Sequence, residues 1–423
     1  MTESLLLAQP SDRMHHCRRW LSFVGVGSLA LLLLTPLIMD PGAHDDAYMG
    51  PKWAWLAIWS GMLLAAVAGR ALTGRPVMFP FDAVWIAALA FMAWHWIALA
   101  WARSPSLGVD RAARVTWLTL ALLGSFQWLR NRRDLAAVGA LFVGVGAVTA
   151  LWILVEDALR AWWPELVYLK SNLADWRGFL AAGLGNTNHV GDLLALTLLT
   201  ALAMVGEARR RAVRALLAAA LVLIPAALIV CFSAGSNLGL VCGALVLLAG
   251  RLRRGGAGWF VRRRGLWLAL VAAWAALIVF FCTDHPLNPH RPGILAQGFG
   301  SARWQAGGPT RLAIWAQSLE MIRQRSLLGF GPGNFTYVFP EMDSALIADR
   351  PDLLVYQGMW TNAAHNVILQ MWTELGVVGL FLFLTLVCLA LYQLLKGLPD
   401  ADEEGATIRL ALLALLTAGL VQG

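Results

Sequence analysis

Long apolar runs separated by short polar connections dominate this chain. A run of about twenty apolar residues is long enough to cross the hydrocarbon core of a bilayer as a helix. We predict eleven spans, at 21–39, 53–68, 83–101, 115–129, 135–155, 190–206, 212–231, 236–250, 266–283, 367–395 and 407–422. The first lacks a convincing small-residue cleavage site after it, so we interpret it as a retained helix. Whether a twelfth follows Gly423 stays open.

The composition supports a membrane environment. Hydrophobic residues make up 59% of the 423 residues and charged residues only 14%, whereas soluble domains are about half apolar and about a quarter charged. No soluble core could absorb this much apolar surface. We therefore predict an all-α polytopic membrane protein with about 11–12 transmembrane helices and a folded, mostly helical periplasmic loop.

The positions of the basic residues predict the orientation of the spans. Twenty lie in the N-terminal tail and the loops on its side, against seven in the short loops opposite. Because basic loops stay in the cytoplasm, we expect a multi-pass protein of a bacterial inner membrane with 284–364 in the periplasm. The predicted units are an N-terminal bundle of nine helices with a periplasmic loop at 156–189 (1–283), a large periplasmic cap (284–364) and C-terminal helices (365–423). The net charge of +8 is thus a topology signal and no argument for nucleic acid.

The long loop 284–364 contains two features that predict local structure. Residues 311–323 predict an amphipathic helix whose apolar face carries Leu312, Trp315, Leu319 and Ile322. A glycine-rich turn follows, with Gly329, Gly331 and Gly333. Since no strand precedes it and no Lys-Ser/Thr follows, we predict a tight turn at positive φ and no nucleotide loop.

His365 and Asn366 are the strongest chemical candidates, because they lie where the long loop re-enters the membrane. A histidine there can accept a proton from an attacking hydroxyl near neutral pH. The alternative is a His-Asn pair that only caps a helix. No second histidine follows within one turn, and the outer loops hold no paired carboxylates apart from Asp45-Asp46. We therefore predict no metal and no cofactor.

Arginines and buried polar groups form a second set of candidates. A guanidinium binds phosphate through two parallel hydrogen bonds and keeps its charge, so converging outer arginines would suit a diphosphate. The candidates are Arg177, Arg291, Arg303, Arg311, Arg323, Arg325 and Arg350. Ordinary solvation is the alternative, above all for Arg323, Arg325 and Arg350. Within or near spans, His95, Asp192 and Glu374 carry a presumption of function.

Three blocks in order resemble the O-antigen ligase/polymerase superfamily of bacterial surface-glycan enzymes. They are Arg177-Gly178 through Gly185-Asn186-Thr187-Asn188-His189, then Arg311-x-x-x-Trp315 with Leu327 through Phe335, then Ala364-His365-Asn366 with Leu369, Glu374, Gly376 and Gly379. One departure is visible. The segment Phe232-Ser-Ala-Gly-Ser236-Asn237 lacks the arginine of the family's Ser-Arg-Gly turn.

The resemblance implies metal-independent, inverting transfer of a glycan from undecaprenyl diphosphate at the periplasmic face. It places the family's phosphate-binding arginines at Arg177 and Arg311 and its essential histidine at His365. We expect Asn188, His189, Asn366 and Glu374 to support this site. A diphosphate is already a good leaving group, so positioning and charge neutralisation should matter most.

The acceptor differs within the superfamily. We favour the lipid A-core oligosaccharide, as in a ligase, with membrane lipids around the protein. A polymerase acting on a second lipid-linked chain is the next alternative. A protein O-oligosaccharyltransferase is less favoured because Asn186 stands where that branch should have glutamine. A glycan flippase or transporter would explain the spans, but not a folded cap with three motif blocks on one side.

Overall fold

The computed structural model describes residues 12–40, 48–79, 82–129, 131–163, 182–208, 210–288, 290, 293–294, 302–342, 358 and 361–422. In these residues the regular structure is all helical. The helices are α1 (Asp12–Leu33), α2 (Met49–Leu72), α3 (Ala83–Ile97), α4 (Pro105–Phe126), α5 (Arg132–Trp162), α6 (Thr187–Met204), α7 (Arg211–Cys231), α8 (Ala234–Arg262), α9 (Arg264–Cys282), α10 (Ala302–Gln324), α11 (Phe335–Val338), α12 (Val367–Lys396) and α13 (Glu403–Gln422). The predicted all-α membrane fold is confirmed.

Nine helices in the described part of the chain are long and apolar enough to cross a membrane. This is fewer than the eleven spans predicted, and the difference lies in α1 and α4. Both form in the predicted region and pack in the bundle. Each carries charge, such as Arg18 and Arg19 in α1 and Asp110, Arg111 and Arg114 in α4, and α4 begins ten residues before the predicted apolar run.

Two apolar cores hold the bundle. The larger joins α5, α6, α7 and α9 around residues such as Ile153, Leu198 and Leu221, and the smaller joins α6, α8 and α13. Small residues allow the helices to approach closely: an added Cβ on Gly146 would meet the Thr197 side chain, and one on Gly243 would meet the Ala414 carbonyl.

The described part of the cap has its own core. Residues of α10, α11 and the glycine turn pack together with Ala364, which directly precedes the candidate histidine. The predicted helix over 311–323 is present, but the predicted apolar face is only half right: Ile322 is buried and Trp315 packs on the cap core, whereas the other two residues do not pack. Leu312 and Leu319 are 63% and 55% exposed, whereas Ile314 and Met321 are buried. The sequence pattern identified an apolar stripe about a third of a turn away from the face that packs.

A kink divides α12. Gly376 has φ 68° and ψ −173°, values outside the helical region, and an added Cβ there would collide with the carbonyl of Leu327. Glycine alone accepts both the backbone angle and the close approach. The break frees backbone groups of α12 to pair with the glycine turn of the cap.

Candidate functional site

His365 has an unusual backbone conformation. Its φ is +49°, in the left-handed region that non-glycine residues rarely adopt and that recurs at functional sites. Helix capping is carried out by Asn366, whose side-chain oxygen accepts hydrogen bonds from the backbone N–H groups of Ile368 and Leu369 at 3.0 and 3.1 Å. Capping therefore accounts for Asn366, while the exposed imidazole of His365 is left free to act on a ligand.

The residue before His365 is held from two directions. The indole N–H of Trp315 donates to the Ala364 carbonyl at 3.0 Å, and the Gln370 side chain accepts from the Ala364 N–H at 2.7 Å. Trp315 lies on α10 one turn after Arg311, so the two side chains project from the same face. The bond that fixes Ala364 thus also brings Arg311 towards His365.

The electrostatics at His365 agree with this geometry. Partial burial lowers the pKa of the imidazole, and the charges of Arg311 and His189 lower it further. A lowered pKa keeps the imidazole neutral at pH 7, the form that accepts a proton. Arg311, His189 and His365 come from three different sequence blocks, and they lie close enough for their charges to interact.

Arg311 makes no ion pair with any acidic side chain in the described ranges, and it is exposed. Arg323, on the same helix, is committed to Glu320 through a 2.7 Å contact, and Arg325 stacks on the Phe330 ring at 5.1 Å. Arg311 is thus an available cation beside His365. Arg177, Arg291 and Arg350 lie outside the described residues, as does the side chain of Arg303, so convergence of Arg177 with Arg311 remains a prediction.

The first turn of α6 supplies the other side of the candidate site. Asn186 caps the helix by accepting from the Asn188 N–H at 2.8 Å, and both Asn188 and His189 are exposed. One turn deeper, Asp192 accepts a hydrogen bond from Ser236 at 2.7 Å. Ser236 belongs to the segment 232–237, which lacks the family's arginine. In this chain the neutral hydroxyl of Ser236 is therefore the hydrogen-bond donor to the Asp192 carboxylate of α6.

Three residues that the sequence did not single out hold the turn before α6. The buried ammonium of Lys52 donates to the backbone carbonyls of Gly183, Ile38 and Tyr48, the latter two at 2.7 and 3.0 Å. Glu156 accepts from the Ala182 N–H at 3.4 Å. Burial and the Glu156 carboxylate raise the pKa of Tyr48, whose ring lies where a Cβ on Gly185 would be.

The glycine turn is anchored on the kinked part of α12. The N–H groups of Phe330 and Gly331 donate to the carbonyls of Thr373 and Glu374 at 3.0 and 2.8 Å. The buried Glu374 side chain accepts from the Gly333 N–H at 2.9 Å and from Gln370 at 2.6 Å. Glu374 thus supports the site indirectly: it holds the glycine turn, and it holds Gln370, which in turn binds Ala364.

The connection between α3 and α4 holds the opposite side of the glycine turn. Trp101 donates to the Leu328 carbonyl at 2.9 Å, and Asn334 donates to the Ser104 carbonyl at 3.2 Å. Gly329, Gly331 and Gly333 all have positive φ, as the sequence predicts. Because a Cβ on Gly331 would collide with Ala102, the turn needs glycine for space as well as for conformation.

The assembled site presents cations and N–H groups at one end of the bundle. The helices α6 and α12 both begin there, and helix N-termini favour anions. In the part of the chain that the structure describes, no group of three His, Cys, Asp or Glu residues could hold a metal ion. The arrangement is suited to binding an anionic group beside a neutral imidazole.

Comparison with known protein families matches residues 219–384 to the O-antigen ligase family. The matched range contains Arg311, the glycine turn, Glu374 and His365, and it begins after Asn188 and His189. Comparison with curated protein sequences finds no match.

Proposed function

We propose that this chain, whose residues 219–384 match the O-antigen ligase family, transfers a glycan from undecaprenyl diphosphate to the lipid A-core oligosaccharide. The family match and the nine apolar helices of the described residues support a multi-pass membrane glycosyltransferase of the ligase/polymerase type. The donor, the acceptor, the inner-membrane location and the periplasmic orientation are parts of the proposal.

One observation supports the proposal above all: Arg311, which forms no ion pair within the described residues, is close enough to His365 for its charge to lower the pKa of the imidazole. The guanidinium suits the diphosphate of the donor. The neutral imidazole suits the acceptor hydroxyl. A flippase would need the anion site but has no use for an adjacent base.

In the proposed reaction the acceptor hydroxyl attacks the anomeric carbon of the donor sugar. The new C–O bond forms as the bond between that carbon and the diphosphate oxygen breaks. The proton of the hydroxyl passes to His365, and undecaprenyl diphosphate leaves with the bonding electron pair. A single displacement of this kind inverts the anomeric centre, and Arg311, with Arg177 as its predicted partner, neutralises the leaving group.

His189 and Asn188 complete the proposed site from α6. The charge of His189 acts on His365, and both side chains are exposed at the start of α6. We assign them to binding the donor diphosphate or the acceptor sugar near His365. Asn366 and Glu374 keep the surrounding backbone in place.

The test is transfer by the purified full chain, with an undecaprenyl-diphosphate-linked glycan as donor. Lipid A-core, a second lipid-linked glycan and a serine-containing pilin-type peptide are offered as separate acceptors. The proposal expects a product with lipid A-core. Extension of the second glycan would identify a polymerase, and modification of the peptide a protein O-oligosaccharyltransferase. Movement of the donor across vesicles without transfer to any acceptor would contradict the enzymatic proposal.

A further inference from the structure

A pocket lies at the end of the bundle opposite the His365 site. It has a volume of about 270 Å³ and is lined by Arg251, Arg254, Gly255, Trp259, Glu403 and Ala406. These residues come from the C-terminal part of α8 and the start of α13. The transfer reaction proposed above uses none of them.

Two buried donors make this pocket a formed polar site. Arg251 is only 9% exposed and Trp259 only 4% exposed. The indole N–H of Trp259 is buried without a hydrogen-bond partner among the described residues. An unpaired buried donor costs about 1–3 kcal/mol in stability. An acceptor group bound in the pocket would remove this cost if it accepted a hydrogen bond from the Trp259 indole N–H.

Arg251 and Arg254 retain N–H groups that are not used in their hydrogen bonds to the protein. Arg251 and Arg263 stack on the Trp259 ring at 4.8 and 4.6 Å, which fixes the orientation of Arg251. Arg251 also donates to the Ala203 carbonyl at 3.3 Å, and its contact with Glu207 is long, at 3.9 Å. Arg254 donates to the carbonyls of Leu398 and Ala401. A guanidinium has five N–H groups, so neither arginine is saturated.

The charges around the pocket favour an anion. Arg251, Arg254 and Arg263 face the two carboxylates Glu207 and Glu403, which leaves one positive charge in excess. The surrounding helix ends add further exposed cations, among them Arg210, Arg211 and Arg253, while the neighbouring carboxylates of Asp402 and Glu404 are paired with Arg132. Guanidinium groups bind phosphate well because their paired N–H groups match the geometry of its oxygens.

The depth of the pocket identifies the source of the phosphate. Residues 234–254 of α8 rise about 30 Å at about 1.5 Å per residue, which equals the hydrocarbon thickness of a bilayer. Arg254 and the start of α13 therefore lie at the level of the lipid headgroups. Exposed apolar side chains of α8, Leu245, Leu248 and Leu252, run towards this level and would contact the acyl chains.

We propose that the pocket formed by Arg251, Arg254 and Trp259 binds the phosphate of an anionic phospholipid in the leaflet opposite the transfer site. Basic pockets between transmembrane helices are known to hold such headgroups. The lipid would fasten the end of α8 to the start of α13, and this role is independent of the glycosyl transfer.

The test measures lipid binding by the purified full chain in nonionic detergent, with native mass spectrometry and thermal unfolding as readouts. Phosphatidylglycerol, phosphatidylcholine and inorganic phosphate are added separately. Phosphatidylglycerol should bind at least tenfold more tightly than phosphatidylcholine and raise the unfolding midpoint. Equal affinity for both lipids would overturn the proposal, and equal stabilisation by inorganic phosphate would overturn the assignment to a lipid.

Variants locate the site. Arg254→Gln should weaken phosphatidylglycerol binding about tenfold or more, and Trp259→Phe, which keeps the stacked ring and removes the N–H, should weaken it several-fold. Arg253→Gln is the matched control, since Arg253 is exposed on the same turn and does not line the pocket. If Arg253→Gln weakened binding as much as Arg254→Gln, the attraction would be a general surface charge and the pocket proposal would be wrong.

Discussion

His365 combines a strained backbone with an exposed imidazole, and neighbouring residues maintain both. A left-handed φ at a non-glycine residue costs about 1–3 kcal/mol. Here the bonds from Trp315 and Gln370 to Ala364, and the cap formed by Asn366, impose that conformation. Backbone strain that Trp315, Gln370 and Asn366 together maintain is expected at a residue whose side chain must point in one direction for function.

The lowered pKa of His365 predicts the pH dependence of transfer. Activity that needs the neutral imidazole should fall as pH drops, with the midpoint of the acid limb of kcat/KM below the ordinary histidine value of 6.5. Arg311→Gln removes a positive neighbour, so protonation becomes easier and the acid limb of the remaining activity should move to higher pH. An unchanged midpoint in Arg311→Gln would show that Arg311 does not act on the base.

Arg311 should not tolerate lysine. An ammonium cannot form two parallel hydrogen bonds to a phosphate, so Arg311→Lys should lower kcat/KM about tenfold or more in the transfer assay. Arg323→Gln, on the same helix and exposed, is the control and should keep near-normal activity. Equal losses in both variants would indicate damage to α10 and would refute a specific role for Arg311.

Among the elements, the kinked α12 and the glycine turn form one unit. Gly376→Ala places a Cβ against the Leu327 carbonyl at a positive φ, so it should separate the turn from the helix. We expect a lower thermal unfolding midpoint and a loss of transfer. Gly61→Ala in α2, where an added Cβ meets nothing, should instead leave stability unchanged or slightly raised. A Gly376→Ala variant as stable and active as the parent would contradict the proposed docking.

The turn before α6 should depend on Lys52. Lys52→Met removes the ammonium donor from the buried Gly183 carbonyl and from the partly buried carbonyls of Ile38 and Tyr48, and a buried group left unsatisfied costs about 1–3 kcal/mol. The unfolding midpoint should fall, and the KM for the donor should rise because Asn188 and His189 follow this turn. Lys396→Met changes an exposed lysine and is the control. A fall in stability with an unchanged KM would limit Lys52 to a purely structural role.

The sequence predicted the elements well and the contacts between them less well. Apolar runs located the helices because span length is a local property. Short motifs predict His365 and Arg311 as site residues, and the positive φ predicted for the turn glycines is confirmed. The predicted face of α10 was wrong for Leu312 and Leu319, which are apolar yet exposed, because periodicity does not show which surface covers a helix. The role of Lys52 depends on Gly183, a partner distant in the chain. The role of Gln370 depends on how the loop around Ala364 folds. No local sequence pattern reveals either contact.

At the scale of the whole molecule, the proposal requires the cap and the lipid pocket to face opposite compartments. In a variant without native cysteines, Tyr337→Cys in the cap should react with a membrane-impermeant thiol reagent in intact spheroplasts, and Arg253→Cys should react only after lysis. Both positions are exposed in the structure, so accessibility is not limiting. The reverse pattern would place the transfer site in the cytoplasm and contradict the proposed donor and acceptor geometry.

The role of His365 as the base is tested most directly by in vitro transfer with His365→Ala and His365→Gln, with donor binding and thermal stability measured in the same preparations. Both variants should lose about 10²–10⁴-fold in transfer rate while binding the donor and unfolding as the parent does, because Asn366 caps α12 without the imidazole. Near-normal transfer by His365→Gln, or a loss of activity matched by a loss of stability, would contradict the role of His365 as the base.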